Sequence, residues 1–254
     1  MREIEEFVDE RHKQCCIHCG SNIERVTANR DHVPTKSLLS REIRNVGAEY
    51  DRTKRYEEGY LPQVVVCKDC NTSFSKDETY LLCVLHAVMA GSLYPDPLKF
   101  AEAAKVLRSN RDIVRELKAQ PDGQLPLFQD LSPFTIYPNL DRIRRVIVKN
   151  ARGHAYHELG EPVFGEPDWV LVQPLTSLSA ESRRAFEEAP ISAGGVWPEV
   201  GSRMTLRVLA GYDLAGGWIE VEKERYRYAV NWEGEVVIRT VIWDYLATET
   251  IWLN

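Results

Sequence analysis

The apolar positions of this chain follow two different periods, helical in the first part and alternating in the second. Leu81, Leu82, Leu85 and Val88 recur at helical spacing behind Asn71, a residue suited to N-capping, and predict a helix that begins there. The apolar run 80–94 is its buried part. It holds His86 and is shorter than the ~20 residues that cross a bilayer. Tyr94-Pro95-Asp96-Pro97 breaks this helix and predicts a new one with Asp96 as N-cap and Pro97 in the first helical position, with helical structure to about Gln120. Ile143, Val146, Ile147 and Ala151 mark the inner face of a further helix over 138–158, stopped by Gly160. From Asp168 onward alternation takes over. Strands are expected at 169–172, 204–209, 218–221, 226–230 and 236–242, interrupted by a helix over 179–188. Asn231-Trp232-Glu233-Gly234 reads as a hairpin loop with glycine at the position that needs an unusual dihedral.

Between these regimes lies 121–133, rich in Pro, Gly, Gln and Asp. It is the expected linker between a domain at 1–120 and an α+β domain at 134–254 with antiparallel strands. The composition is that of an ordinary globular protein, which excludes disordered and fibrous classes. Residues 1–10 are dominated by carboxylates and lack the apolar segment of a signal peptide, so a soluble, cytoplasmic protein without membrane attachment is expected. A short helix over 2–12 would set Ile4, Phe7 and Val8 on one side.

The chemistry is concentrated early. Cys16-Ile17-His18-Cys19 and Cys67-Lys68-Asp69-Cys70 form two CxxC pairs, a strong signal for one tetrahedral Zn(II) held by Cys16, Cys19, Cys67 and Cys70. Four thiolates close such a site, so this metal would be structural. Buried or disulfide-bonded cysteines are the alternative. Cys15 could replace Cys16 in a wider grip, although Cys16 makes the tighter turn. His12 and His18 lie near the first pair and are expected beside the site rather than in it. Cys83 sits in the apolar stripe as a core thiol.

Asp31-His32 lies between the two pairs. On an extended segment the two side chains point to opposite faces, so one can hold a metal while the other addresses a water. Asp31 and Asn71 offer oxygen ligands, which suit Mg(II) or Mn(II), and Glu78, two turns beyond Asn71, could reach the same ion. A solvated helix-surface position beside Lys76 and Asp77 is the more ordinary explanation of Glu78.

The combination CxxC, Asp-His, CxxC-Asn resembles the HNH endonucleases in their zinc-knuckle form, over roughly the first third of the chain. The resemblance implies a ββα-metal fold, with His32 as general base, Asp31 and Asn71 as ligands of the catalytic ion, and the four cysteines as the zinc set. The fold class expected overall is therefore α+β: an N-terminal ββα-metal domain with a helical extension, then the antiparallel α+β domain. The family's usual Asn ahead of the second CxxC is replaced by Pro62, which leaves support of His32 to Gln63 or a backbone carbonyl. The implied activity is metal-dependent hydrolysis of phosphodiester bonds, of DNA first, in a host-defence or restriction-like setting. The second half would regulate, oligomerise or recruit a protein partner. A non-catalytic zinc-knuckle module that binds nucleic acid or protein is the competing reading, and it has no need of Asp31 or His32.

Charge bears on the partner. With 32 Lys and Arg against 38 Asp and Glu, the formal net charge of −6 argues against tight unaided binding to nucleic acid. Two basic stretches run against that balance. One lies between Pro34 and Gly59 and includes Lys36, Arg41 and Arg44; the other is the polar side of the 138–158 helix, with Arg142, Arg144, Arg145, Lys149 and Arg152. Each is either a solvated face or a phosphate contact. All six tryptophans lie in the second half, where strand packing explains them more simply than base stacking.

Overall fold

The computed structural model describes residues 14–45, 61–119, 134–188, 202–210, 214–232 and 234–253. The expected helix over 2–12 and the linker 121–133 lie outside the described residues. Contacts group the chain into two compact units, one of Met1–Ser73 with Ile147–Asn254 and one of Phe74–Val146. This grouping differs from the sequential halves expected above. The reason lies in what covers the cysteine-bearing segment. Trp243 Nε1 donates to the Leu38 carbonyl at 2.7 Å, and the Ser40 amide donates to Glu222 Oε2 at 2.9 Å. Those partners belong to the far end of the sequence.

The first unit opens with a hairpin. β1 (Ala28–His32) pairs antiparallel with β2 (Gln63–Cys67), Asp31 facing Val64 and His32 facing Gln63 in the register. A short helix, α1 (Arg41–Asn45), lies between them in sequence. Directly after β2 begins α2 (Lys68–Ala90), whose first turn belongs to this unit and holds Asn71. The helix thus starts before Asn71, which is not its N-cap. The Lys68 amide donates to the Thr27 carbonyl at 2.8 Å, so the end of the hairpin satisfies a terminal donor that a capping side chain would otherwise take.

The second unit carries the rest of α2, then α3 (Ala101–Ser109), α4 (Arg111–Lys118) and the start of α5 (Leu140–Leu159). α2 buries Tyr80, Leu81, Cys83, Val84, Leu85, His86 and Ala87. No helix among the described residues is long and apolar enough to cross a membrane. Asp96 does not cap a helix as expected: its Oδ1 accepts from the Leu98 amide at 2.9 Å and its carbonyl from Phe100 at 2.8 Å, closing a turn that delays α3 to Ala101.

The remainder of the first unit is a six-stranded antiparallel sheet with helices against it. β3 (Trp169–Pro174) is followed by α6 (Ala180–Glu187), capped by Ser179, and α7 (Arg203–Ala210). Then come β4 (Leu214–Ala215), β5 (Trp218–Glu222), β6 (Tyr226–Asn231), β7 (Glu235–Ile242) and β8 (Leu246–Leu253). Their order is β3-β8-β7-β6-β5-β4. Residues 204–209, expected as a strand, are helical. Ser202 Oγ accepts from the Thr205 amide at 3.2 Å, an N-cap that starts a helix, and Arg207 on that helix reaches Glu158.

The second half of α5 belongs to the first unit. An ideal Cβ at Gly153 would stand 2.7 Å from Val33 Cγ2, and Val33 is buried, so only glycine lets the segment after β1 lie this close. Gly153→Ala should lower stability by about 1–2 kcal/mol, overpacking outweighing the ~1 kcal/mol that alanine gains in helix propensity. Chemical denaturation checks this. Adding Val33→Ala should relieve the clash, so the two losses are expected to be less than additive.

Candidate metal centre and the strand beside it

The four cysteines come together at the open end of the hairpin, where the chain ahead of β1 meets the end of β2. Cys16 and Cys19 sit on a turn closed by Gly20, whose amide donates to the Cys16 carbonyl at 2.8 Å and whose φ of 72° favours a residue without Cβ. Cys67 ends β2 and Cys70 lies in the first turn of α2. The ligand atoms of Cys16, Cys19, Cys67 and Cys70 all fall within 4.8 Å of one another. Cys19 Sγ and Cys67 Sγ are 3.8 Å apart, close to the ~3.8 Å edge of a tetrahedron with metal–sulfur bonds of about 2.3 Å. This donor set can hold a metal such as zinc. Cys15 is outside it, in an isolated bridge with Asn22.

Electrostatics point the same way. Burial pushes the Cys16 thiol up, and burial together with the neighbouring sulfurs pushes Cys70 up as well. Cys19 is the exception: burial raises it, but hydrogen bonding with Ser21, and then with Cys70 and Cys16, outweighs this and brings it down to about 7. Thiols packed this closely resist becoming thiolates together unless a cation is among them.

Asp31 and His32 face opposite sides of β1, as the extended backbone requires. His32 faces out. Its Nε2 lies 2.8 Å from the Gln63 side-chain amide directly across the hairpin, so Gln63 is the support that Pro62 does not provide. Arg30 shares that face and is exposed. Asn71 lies against the same strand, its Nδ2 directed to the Arg30 carbonyl at 3.5 Å.

Asp31 faces in and is 7 % exposed. Lys149, on α5 and 3 % exposed, sets its Nζ 2.9 Å from Asp31 Oδ1 and donates to Thr35 Oγ1 at 3.0 Å. Thr35 in turn bonds Asn150 Oδ1 through both its amide and its hydroxyl, at 2.9 and 3.0 Å. On the other oxygen, Asp31 Oδ2 is 3.7 Å from His18 Nε2. Burial alone would raise the Asp31 pKa; the nearby His18 ring and the charge and hydrogen bond of Lys149 outweigh it, and the carboxyl is held below its ordinary value. Burial lowers His18 below its ordinary value. The carboxylate expected to carry a hard ion is therefore already matched by an ammonium group. As arranged here, Asp31 does not fit the divalent ion that the sequence suggested.

The other expected contacts divide. Lys36 and Arg41 are exposed, whereas Arg44 donates to the Leu39 and Ser37 carbonyls, each at 2.6 Å. Glu78 falls in the second unit. There Arg142 reaches Asp77 and Glu116, each at 2.8 Å, and stacks on Tyr80, while Arg145 reaches Asp77 at 2.6 Å. Arg144, beside Asp141, and Arg145 are each about half exposed and still face solvent. The far end of the stripe expected to meet phosphate is thus internal: Lys149 is buried on Asp31, and Arg152 is buried with its guanidinium on the His18 and Gly165 carbonyls. A charged residue every turn of a helix looks the same in sequence whether solvent or a buried acid lies opposite.

A feature that sequence reasoning missed lies in the second unit, a cleft of about 730 Å³ lined by Tyr94, Arg108, Arg111, Arg115 and Lys118, with Asp96 the one acidic group of its lining. Spacing gave no sign of it, because its cations come from α3 and α4 and meet only in the fold. Comparison with protein families, with curated proteins and with solved structures finds no match to this chain.

Proposed function

We propose that this protein is an HNH-type endonuclease that hydrolyses phosphodiester bonds of DNA, with a structural zinc in its four-cysteine cluster. The observation that supports it most is His32: a half-buried imidazole on the outer face of a hairpin whose open end meets the cysteine cluster, with Gln63 beside it across the strands. A side-chain amide can present either its oxygen or its nitrogen to a ring. As placed, Gln63 turns its amide nitrogen toward His32 Nε2; with the amide rotated by half a turn its oxygen accepts from Nε2–H and sets the tautomer in which Nδ1 is the basic nitrogen of the ring. Arg30, on the same face, meets the charge of the scissile phosphate. The Mg(II) or Mn(II) that the resemblance implies would look to Asp31 and Asn71, but Asp31 does not receive it as arranged. In this reading the protein works in the cytoplasm in a host-defence or restriction-like role, with the sheet recruiting a protein partner or a second copy.

The test is cleavage of plasmid, single-stranded DNA and RNA by wild type and His32→Ala, with Mg(II), Mn(II) or Ni(II) and with chelator. His32→Ala should lose at least about 100-fold in rate while keeping zinc content and fold. Equal rates, or no cleavage by wild type under any ion, overturn the reading. The buried Asp31–Lys149 pair favours one other reading, the non-catalytic module, which predicts nucleic-acid binding without cleavage.

Contact with DNA would fall to the exposed cations. Arg108→Ala with Arg111→Ala should weaken binding at every sequence and reduce the slope of log affinity against log salt by about 2, since each phosphate contact releases roughly one counterion. An unchanged slope, measured by fluorescence anisotropy, would return the cleft to a solvated surface.

A further inference from the structure

The Asp31 pocket is built for a cation and is filled by one that the chain itself provides. Lys149 is not a surface lysine that happens to reach an acid. It is 3 % exposed, it descends from α5 to Asp31 Oδ1 at 2.9 Å, and it is fixed by Thr35 Oγ1 at 3.0 Å, which is itself tied twice to Asn150 on the same helix. Two neighbouring residues of one helix thus hold β1 and the segment after it, Lys149 through Asp31 and Thr35 and Asn150 through Thr35. A divalent ion bound to the same oxygen would stand within a few ångströms of the ammonium, and two cations at that separation in a buried site repel strongly.

We propose that Lys149 is the resident cation of Asp31, and that a divalent ion binds Asp31 only when the ammonium is withdrawn. Lys149 and the ion are alternative occupants of one site. This rests on the nuclease reading for its purpose but not for its test. A nuclease arranged in this way cannot load its ion at rest, and whatever shifts α5 from the hairpin opens the site. The lysine acts through Asp31 and is a positioning residue, with no contact to substrate required.

The experiment measures Mn(II) binding alone, by electron paramagnetic resonance of the free ion, on the zinc-loaded full chain. Lys149→Gln keeps a donor for Asp31 and Thr35 while removing the charge. It should bind Mn(II) on the order of tenfold more tightly than wild type or better, and the gain should vanish when Asp31→Asn is added. Equal affinity of wild type and Lys149→Gln overturns the proposal, as does a gain that survives Asp31→Asn. Should Lys149→Gln fail to hold zinc or to fold, wild type gives the readout through amine labelling of Lys149 followed by mass spectrometry. Labelling should rise in step with Mn(II) as the ion is raised to millimolar concentration, and a rate that stays flat across the titration overturns the proposal. The two readings fail separately. Tighter Mn(II) binding without any cleavage removes the nuclease and keeps the competition, whereas a His32-dependent nuclease with equal Mn(II) affinities does the reverse.

Discussion

Cys67→Ser is expected to cost the chain its metal and, with it, the folded state of the hairpin. Cys67 stands in two structures at once. Its sulfur is one corner of the four-cysteine cluster, and its side chain is part of the apolar cluster formed with Cys16, Ile17, Val33, Val64 and Val66. Structural zinc in small modules binds with an apparent ~10–16 kcal/mol, which matches or exceeds the ~5–15 kcal/mol that holds a typical domain folded. Serine offers no thiolate, so this contribution falls by a large part. The expected result is less than about one tenth of the metal per chain seen in wild type, and loss of the cooperative thermal transition. A chelator strong enough to strip the wild type should reproduce it. Cys15→Ser is the control, since Cys15 lies outside the cluster and should keep its metal. A metal-free Cys67→Ser protein that melts like wild type would remove the cluster from the account of stability.

Stability should also collapse in mild acid, and the largest identifiable part comes from two histidines on α5. His154 is fully buried, stacked on Tyr228 at 3.8 Å with its Nε2 2.9 Å from the Tyr226 hydroxyl. Burial pushes its pKa down to about 3, against an upward pull from Glu158. His157 is lowered well below its ordinary value, by burial first and then by Arg203 and Arg207. Both groups bind a proton near pH 6.5 when unfolded and refuse it when folded, so the unfolded state holds more protons as pH falls below that value. Stability is then lost from pH 6.5 downward at about 1.4 kcal/mol per pH unit for His154, which comes to roughly 3 kcal/mol by pH 4.5, and His157 adds to the loss in the same direction. The loss for His154 continues until pH reaches its folded value. Metal release in acid adds to this equally in wild type and variant, so the comparison isolates the histidine. His154→Gln should flatten the urea-denaturation stability profile by about one proton between pH 6.5 and 5. Parallel profiles would show that His154 is not a source of acid lability.

What could be read beforehand was whatever is local. The two CxxC turns, the hairpin that joins them and the opposed faces of Asp31 and His32 all follow from spacing and from the pleat of an extended chain. Gln63 was one of two supports the sequence left open, and the register that sets it opposite His32 decides for it. The strands at 218–221, 226–230 and 236–242 were legible from alternation, but β8 was not. Its turn from β7 is made by Trp243 and Asp244 at φ of 56° and 48°, positions where a sequence reader looks for glycine or asparagine. The partner of Asp31 was hidden for a different reason. Lys149 lies 114 residues beyond Thr35, which it also bonds, and on its own helix it is one more basic residue in a row of them. Helical spacing says which residues share a face. It does not say which of them finds a buried acid opposite, and here that distinction moves Lys149 from the expected DNA surface to the interior.

The sheet order has a consequence for how the molecule is made. β8 is hydrogen-bonded to β3 on one side and β7 on the other, although it is the latest of the described strands in the sequence. On the ribosome, β3 must wait as an unpaired edge while the whole of 175–245 is synthesised, and it acquires a neighbour only when residues 246–253 emerge. The cysteine cluster needs nothing beyond Cys70 and can assemble early. A nascent chain would then carry a finished knuckle long before the strands that belong to the same unit close, so a stop codon just ahead of Leu246 should leave a metal-bound but aggregation-prone fragment rather than a smaller version of the protein.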